Sequence, residues 1–330
     1  MNKAGWSAIL VAMSVLVFGV AAEAQQSGKI FRIGFLDNST ASGIAVLAEA
    51  FRQELSKRGW VEGKNITTEY RFAEGKSERL PELAADLVRR KVDLIVVVSR
   101  PTASAAKSAT ATIPIVMTNV GNPVGAGLIA SLARPGGNVT GLSSLSPELI
   151  TKRLEILKDA VPKLVRVGFL RPSGRGVAGD AAMKELRPAA LALKLKLEEI
   201  ETRLDPKGVE SSFKTAKQKQ VGAIMTMATP SFFAERKQIV ELAGKNRFPA
   251  IYPQNEYVDE GGLMSYGADY TDLYRRAAVY VDKILKGAKP ADLPVQQATK
   301  FEFVINLKAA KQIDLTIPAR MLERANKVIK

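Results

Sequence analysis

The segment Arg32-Ile33-Gly34-Phe35-Leu36-Asp37-Asn38-Ser39 recurs later as Arg166-Val167-Gly168-Phe169-Leu170-Arg171-Pro172-Ser173. Two further echoes keep the same order. Val92 to Thr102 (VDLIVVVSRPT) matches Val221 to Ser231 (VGAIMTMATPS), and Ile113-Pro114-Ile115-Val116 matches Phe248-Pro249-Ala250-Ile251. Matched positions lie 129 (Val92 to Val221) to 135 (Pro114 to Pro249) residues apart, and a near-constant offset with preserved order marks an internal duplication. A chain built this way is expected to fold as two similar lobes.

Within each copy, short β-branched or aromatic runs alternate with longer stretches of helical period. Ile30 to Leu36 reads as a buried strand, and Gly43 to Gly59 as a helix with Ile44, Leu47, Ala48, Phe51 and Leu55 on one face and Gly59 as its C-terminal stop. The alternation continues with strand 66–72, helix 77–91 (Ser77 as its cap), strand 94–98, helix 103–110, strand 113–118 and helix 125–133. Strict β-then-α order predicts parallel sheets flanked by helices, an α/β architecture of two Rossmann-like lobes.

The chain has 330 residues, long enough for about two domains, and its 46% hydrophobic and 25% charged residues suit a globular protein. Met1-Asn2-Lys3 precedes an apolar run from Ala8 to Ala22, and Ala22-Glu23-Ala24 supplies a small-x-small site. This order is that of an export signal cleaved after Ala24, so residues 1–24 are read as a signal peptide and the mature protein as soluble and periplasmic. With no cysteine at the cleavage site, a lipid anchor is not expected.

The absence of both cysteine and histidine removes disulfides, thiolate metal sites, cysteine nucleophiles and the commonest general base and metal ligand. Binding without cofactor or metal is the economical expectation. The formal charge of +15 is spread along helices such as Arg89-Arg90-Lys91 and Lys214 to Lys219, not gathered among aromatics, so it reads as a solvated surface with no nucleic-acid partner.

The chain is expected to cross between lobes near Arg134 to Ser143, again near Gly261 to Tyr270, and a third time in Pro294 to Ile305. The lobes then comprise 25–142 with 268–296, and 143–267 with 297–330. Three crossings form a hinge about which the lobes can close.

In open parallel sheets, ligands collect beyond the carboxyl ends of the strands. The first lobe offers Asp37, Asn38, Ser39 and Thr40, then Ser99, Arg100 and Thr102, then Thr118, Asn119 and Asn122. The second offers Arg171, then Thr229 and Phe232, then Tyr252, Gln254 and Asn255, with Tyr266 and Asp269 from the second crossing. Arginine can grip a carboxylate in a fork, aspartate can accept from an amine, and the aromatics can wall an apolar part. The same Asp, Asn, Ser and Thr types also cap helices, as Asn306 is expected to do. Gly-Lys-Ser at 75–77 lacks the first glycine of a phosphate loop, and Gly121 to Gly127 (GNPVGAG) reads as a tight turn near the cleft.

Several long stretches resemble one family. They are Gly121-Asn122-Pro123-Val124 after Ile113-Pro114-Ile115-Val116, then Leu132-Ala133-Arg134-Pro135-Gly136-Gly137-Asn138-Val139-Thr140-Gly141, then Gly261 to Gly267 (GGLMSYG), and finally Lys300 to Lys308 (KFEFVINLK) before Leu315-Thr316-Ile317-Pro318. Together they are similar to ABC-transporter substrate-binding proteins of the tryptophan- and tyrosine-binding type. The resemblance implies a type I periplasmic-binding-protein fold, no catalysis, a small-molecule solute and an inner-membrane ABC permease as partners, and a monomer. The loop Leu36 to Gly43 (LDNSTASG) departs from the Gln- and His-containing loop of members that bind aromatic amino acids. Two other uses of the cleft stay open: a module that passes its occupied state to a sensor, and a cofactor-free enzyme with Asp37 or Asp269 as base.

Overall fold

The computed structural model describes residues 29–174 and 177–330. The expected signal peptide, 1–24, lies outside the described residues. Strand β1 (Phe31–Asp37) leads into α1 (Ala45–Lys57), which buries Leu47, Ala50, Phe51 and Leu55. Gly59 ends it with φ +89°, a conformation open to glycine at no steric cost. Next come β2 (Ile66–Phe72), α2 (Leu80–Arg89), β3 (Leu94–Val97), α3 (Arg100–Ala109), β4 (Ile115–Met117) and β5 (Val139–Ser143).

The second half begins with α4 (Ser146–Ala160), followed by β6 (Arg166–Pro172), α5 (Val177–Ala192), β7 (Lys196–Thr202), α6 (Pro206–Gln218) and β8 (Ala223–Thr226). Then come α7 (Pro230–Ala234), α8 (Arg236–Lys245), β9 (Ala250–Tyr252), α9 (Glu256–Asp259), β10 (Met264–Ala268) and α10 (Tyr270–Leu285). The chain closes with β11 (Gln296–Gln297), β12 (Phe301–Asn306), α11 (Leu307–Gln312), α12 (Ala319–Arg324) and β13 (Lys327–Ile329). Asn306 caps α11 by accepting the Ala309 N–H at 3.2 Å, as its sequence position predicts.

The duplication is visible in the topology. One sheet runs β11-β5-β4-β3-β1-β2 and the other β13-β12-β10-β9-β8-β6-β7, so each contains five parallel strands in the same order. Register repeats too: Ile33 faces Leu94 as Val167 faces Ala223, and Ile95 faces Ile115 as Ile224 faces Ala250. The second sheet departs from strict parallelism where β12 joins β10 antiparallel.

Alternation along β1 separates two core layers. Ile33 and Phe35 pack with Leu47, Phe51 and Leu55 of α1, whereas Leu36 packs with Leu80, Ala84 and Leu87 of α2 and Ala103 and Ala106 of α3. Each fully buried large apolar side chain contributes about 1.5–3 kcal/mol, which fixes helices to both faces.

Two local expectations are corrected. Residues 125–133 form turns in place of a helix: Gly127 holds φ +68°, and Lys107 Nζ donates to the carbonyls of Gly127 (2.7 Å) and Leu128 (3.0 Å). Ser77 does not cap α2, which is preceded by a 3₁₀ turn at Ser77–Arg79; its hydroxyl donates to Asn38 Oδ1 at 3.3 Å.

The chain passes between sheets three times, at β5 to α4, β10 to α10 and β11 to β12. Helix α10 packs along α1 of the first lobe, and Trp60 Nε1 donates to Asp282 Oδ1 at 2.8 Å. Away from these passages the lobes also touch. Asn38 Nδ2 donates to Ser231 Oγ at 3.3 Å, and Arg236 Nη1 donates to the Gly43 carbonyl at 2.9 Å. Among the described residues, no helix is long and apolar enough to cross a membrane.

Candidate functional site

Asp37 ends β1, and Asn38 and Ser39 follow it into the space between lobes. Asp37 is fully buried; Oδ1 accepts the Ser39 N–H at 2.8 Å, while Oδ2 has no hydrogen-bond partner. Burial pushes its pKa up to about 6, against the opposing pull of the hydrogen bonds from Ser39 and Asn38. The buried hydroxyl of Ser39 lies near this carboxylate without a well-formed hydrogen bond. Tyr274, on the inner face of α10, lies within reach of Thr118; burial and the Asp37 charge hold its hydroxyl well above its usual range.

The second lobe carries a comparable set. Gln254 and Thr226 are buried, and Gln254 Oε1 and Thr226 Oγ1 are unpartnered. Tyr257 lies near Thr226 without a well-formed hydrogen bond, and its ring stacks on Tyr252 at 4.7 Å between centroids. Glu256, beside Thr271, has its pKa raised to about 7 by burial, with Asp259 and Asp269 adding to the rise. Buried polar atoms are nearly always paired, so these unpaired ones near strand ends single the region out as the candidate site.

Of the sequence-derived set, Asp37 and Ser39 are buried together at the end of β1, Thr118 donates to Asn119 Oδ1 at 3.1 Å after β4, and Tyr252 and Gln254 are buried at the end of β9. Others have local partners. Ser99 and Thr102 form a reciprocal cap on α3, Thr229 caps α7, and Asp269 caps α10 by accepting the Asp272 N–H at 2.9 Å. Asn122 is exposed and accepts from Gly125 N–H at 2.9 Å, and Thr40 accepts from Gly43 N–H at 3.1 Å. Arg171 is engaged by Glu199 and by Glu201 at 2.6 Å, and its Nη1 donates to the Gly174 carbonyl at 3.0 Å. Asn255 bonds to Ser265 and Glu302, Phe232 is wholly buried, and Tyr266 packs edge-on against Phe303. Arg100 is half-buried with no ion-pair partner among the described residues.

Sequence reasoning missed Thr226, Glu256, Tyr257, Tyr274 and Arg153. Arg153 follows Lys152 and resembles a surface pair, but it lies three residues after Ile150 and four before Leu157, both buried. That helical phase places it on the inner face of α4.

Comparison with known proteins fixes the family. The family model described as ABC transporter substrate binding protein matches residues 41–329. The chain belongs to that family. It is 31% identical over 272 residues to a tyrosine-binding protein of Clostridioides difficile (strain R20291), covering 81% of this chain and 76% of that protein. A conserved domain protein from Vibrio cholerae superposes with TM-score 0.81 at 31% identity, covering 91% of this chain and all of that one. At the same coverages, an ABC domain from Streptococcus pneumonia in complex with L-Trp gives 0.79 at 26% identity. The ligand-free, open structure of a Clostridium difficile substrate binding protein gives 0.61 at 25% identity, again at the same coverages. As a member of this family with two parallel-sheet lobes, the chain has the type I periplasmic-binding-protein fold.

Proposed function

We propose that this protein is the solute-binding component of an ABC uptake transporter. It holds a small amino-acid-like molecule between its lobes and presents the closed form to an inner-membrane permease. The carrying observation is the fully buried Asp37 carboxylate of the first lobe with Oδ2 unpartnered, together with the unpartnered buried groups of Thr226, Gln254 and Tyr257 in the second. A ligand ammonium would complete Asp37, and hydroxyl or amide groups would complete the others. The named ligands of the relatives, tyrosine and L-Trp, are in keeping with this class.

The touching lobes correspond to a closed receptor, and the better match to the L-Trp complex than to an open structure of similar identity supports this. Closure would bend the three passages between sheets, with solute favouring the closed state because only there do both lobes contact it. In this reading the protein is exported by its signal peptide, works as a periplasmic monomer and binds without catalysis, metal, cofactor or nucleic acid.

Calorimetry against the twenty amino acids and a set of sugars, combined with small-angle scattering, tests the reading. Saturable binding accompanied by compaction is expected. Absence of both for every solute would overturn it.

A further inference from the structure

Helix α4 starts at Ser146, close behind the end of β5 at Ser143, so its amino-terminal end lies at the first passage between lobes. Side chains on a helix lean toward its amino terminus. Arg153 accordingly extends from the inner face of α4 among Tyr257, Tyr266 and Tyr270. It is 2% exposed, its Nη1 donates to the Tyr266 carbonyl at 3.2 Å, and its Nε has no hydrogen bond. None of the described carboxylates forms an ion pair with it. Burial lowers its pKa to about 10, so at neutral pH it remains a cation.

Among the described residues one neutral acceptor holds this guanidinium, and a buried charge calls for an opposite charge or a full set of hydrogen-bond partners. Arg171, the arginine that the strand-end rule selects, already has Glu199 and Glu201. We infer that Arg153 is the anion subsite of the cleft and receives the carboxylate of the solute in a charge-assisted hydrogen bond. This rests on the solute-receptor reading and specifies it.

Helix α10 relates this subsite to Asp37. Tyr270 neighbours Arg153 and Tyr274 neighbours Asp37, and these tyrosines stand one helical turn apart, about 5–6 Å along one face. Two opposite charges, neither ion-paired among the described residues, thus neighbour successive turns of one helix face, and the solute inferred is a zwitterion that pairs with both. Arg153 belongs to the second lobe and Asp37 to the first, so such a solute satisfies both only when the lobes are together.

The test uses the full mature protein as wild type, Arg153→Met and Arg153→Lys. Each is titrated with the amino acid that binds wild type most tightly and with that amino acid's amide. Wild type should prefer the acid by about a hundredfold. Arg153→Met should lose that preference while its ligand-free unfolding midpoint stays level or rises, since an unpaired buried charge has been removed; Arg153→Lys should regain part of the preference.

The inference is overturned if wild type binds acid and amide alike, or if Arg153→Met keeps the preference. It is equally overturned if Arg153→Met lowers the ligand-free midpoint with acid affinity unchanged, which would mark a structural role. Binding of sugars but of no amino acid overturns the subsite and leaves the receptor reading standing, whereas no binding at all overturns both.

Discussion

Gly43 of the first lobe abuts Ala234 of the second so closely that a Cβ added at Gly43 would lie 2.4 Å from the Ala234 Cβ. Under the proposed hinge motion, the contact joins surfaces that separate on opening. Gly43→Val is therefore expected to leave each lobe folded and to penalise closure by about 1–3 kcal/mol. Solute affinity should fall roughly five- to hundredfold, with scattering showing a more extended form at equal saturation. A variant with wild-type affinity would refute the role of this contact.

Arg236 bridges the same rim. Its Nη1 donates to the Gly43 carbonyl across the lobes (2.9 Å) and to the Phe233 carbonyl (3.1 Å), while Nη2 pairs with Glu260 at 3.3 Å. Loss of a charge-assisted hydrogen bond costs about 1.5–3 kcal/mol. Arg236→Gln should accelerate solute dissociation roughly ten- to hundredfold in stopped-flow experiments, with little change in association.

Solute binding should depend on the ionisation of Asp37. With its pKa at about 6, the carboxylate form prevails above that pH and can pair with an ammonium group. Affinity for a cationic or zwitterionic solute is expected to be level from pH 7 to 8 and to fall by about tenfold per unit well below pH 6. Asp37→Asn should bind more weakly and flatten this profile; an unchanged profile in calorimetry would remove Asp37 from the site.

The same group shapes stability without solute. The folded-state pKa is above the unfolded value of 3.8, so between these values the folded protein binds more protons and stability declines as pH rises. From pH 4 to pH 7 Asp37 should subtract roughly 2 kcal/mol. Urea titrations of wild type and Asp37→Asn would reveal the difference, which saturating solute should reduce.

The duplicated strands make a paired prediction. A Cβ on Gly34 would meet Leu87 at 3.0 Å, and one on Gly168 would meet Val221 at 3.0 Å. Gly34→Val and Gly168→Val should each destabilise by about 1–3 kcal/mol through overpacking, detected as a lower unfolding midpoint, with hydrogen exchange rising first in the altered lobe.

The lobes were legible because strand sequences carry their own period: Ile33, Phe35 and Leu36 alternate between two cores, and the matched strands share neighbours and register. The stretch 125–133 misled because apolar spacing does not reveal that Gly127 adopts positive φ. Asp37 stands where the strand-end rule looks and is buried there with Oδ2 unpartnered. Thr229 and Asp269 met the same rule yet cap helices, since a side chain that accepts from a ligand also accepts from a first-turn N–H. Arg153 escaped because its neighbour Lys152 is a surface cation, and only the phase set by Ile150 and Leu157 distinguishes the two.

The path of the chain also bears on how the protein comes into being. The first sheet receives its last strand from residues 296–297, and α1 is covered by the helix at 270–285, while the second sheet waits for residues 327–329. During synthesis from the amino terminus, the first lobe remains an open, five-stranded fragment until most of the second has emerged. Each sheet thus takes an edge strand from a late segment of the chain, after the parallel strands of both lobes have been laid down.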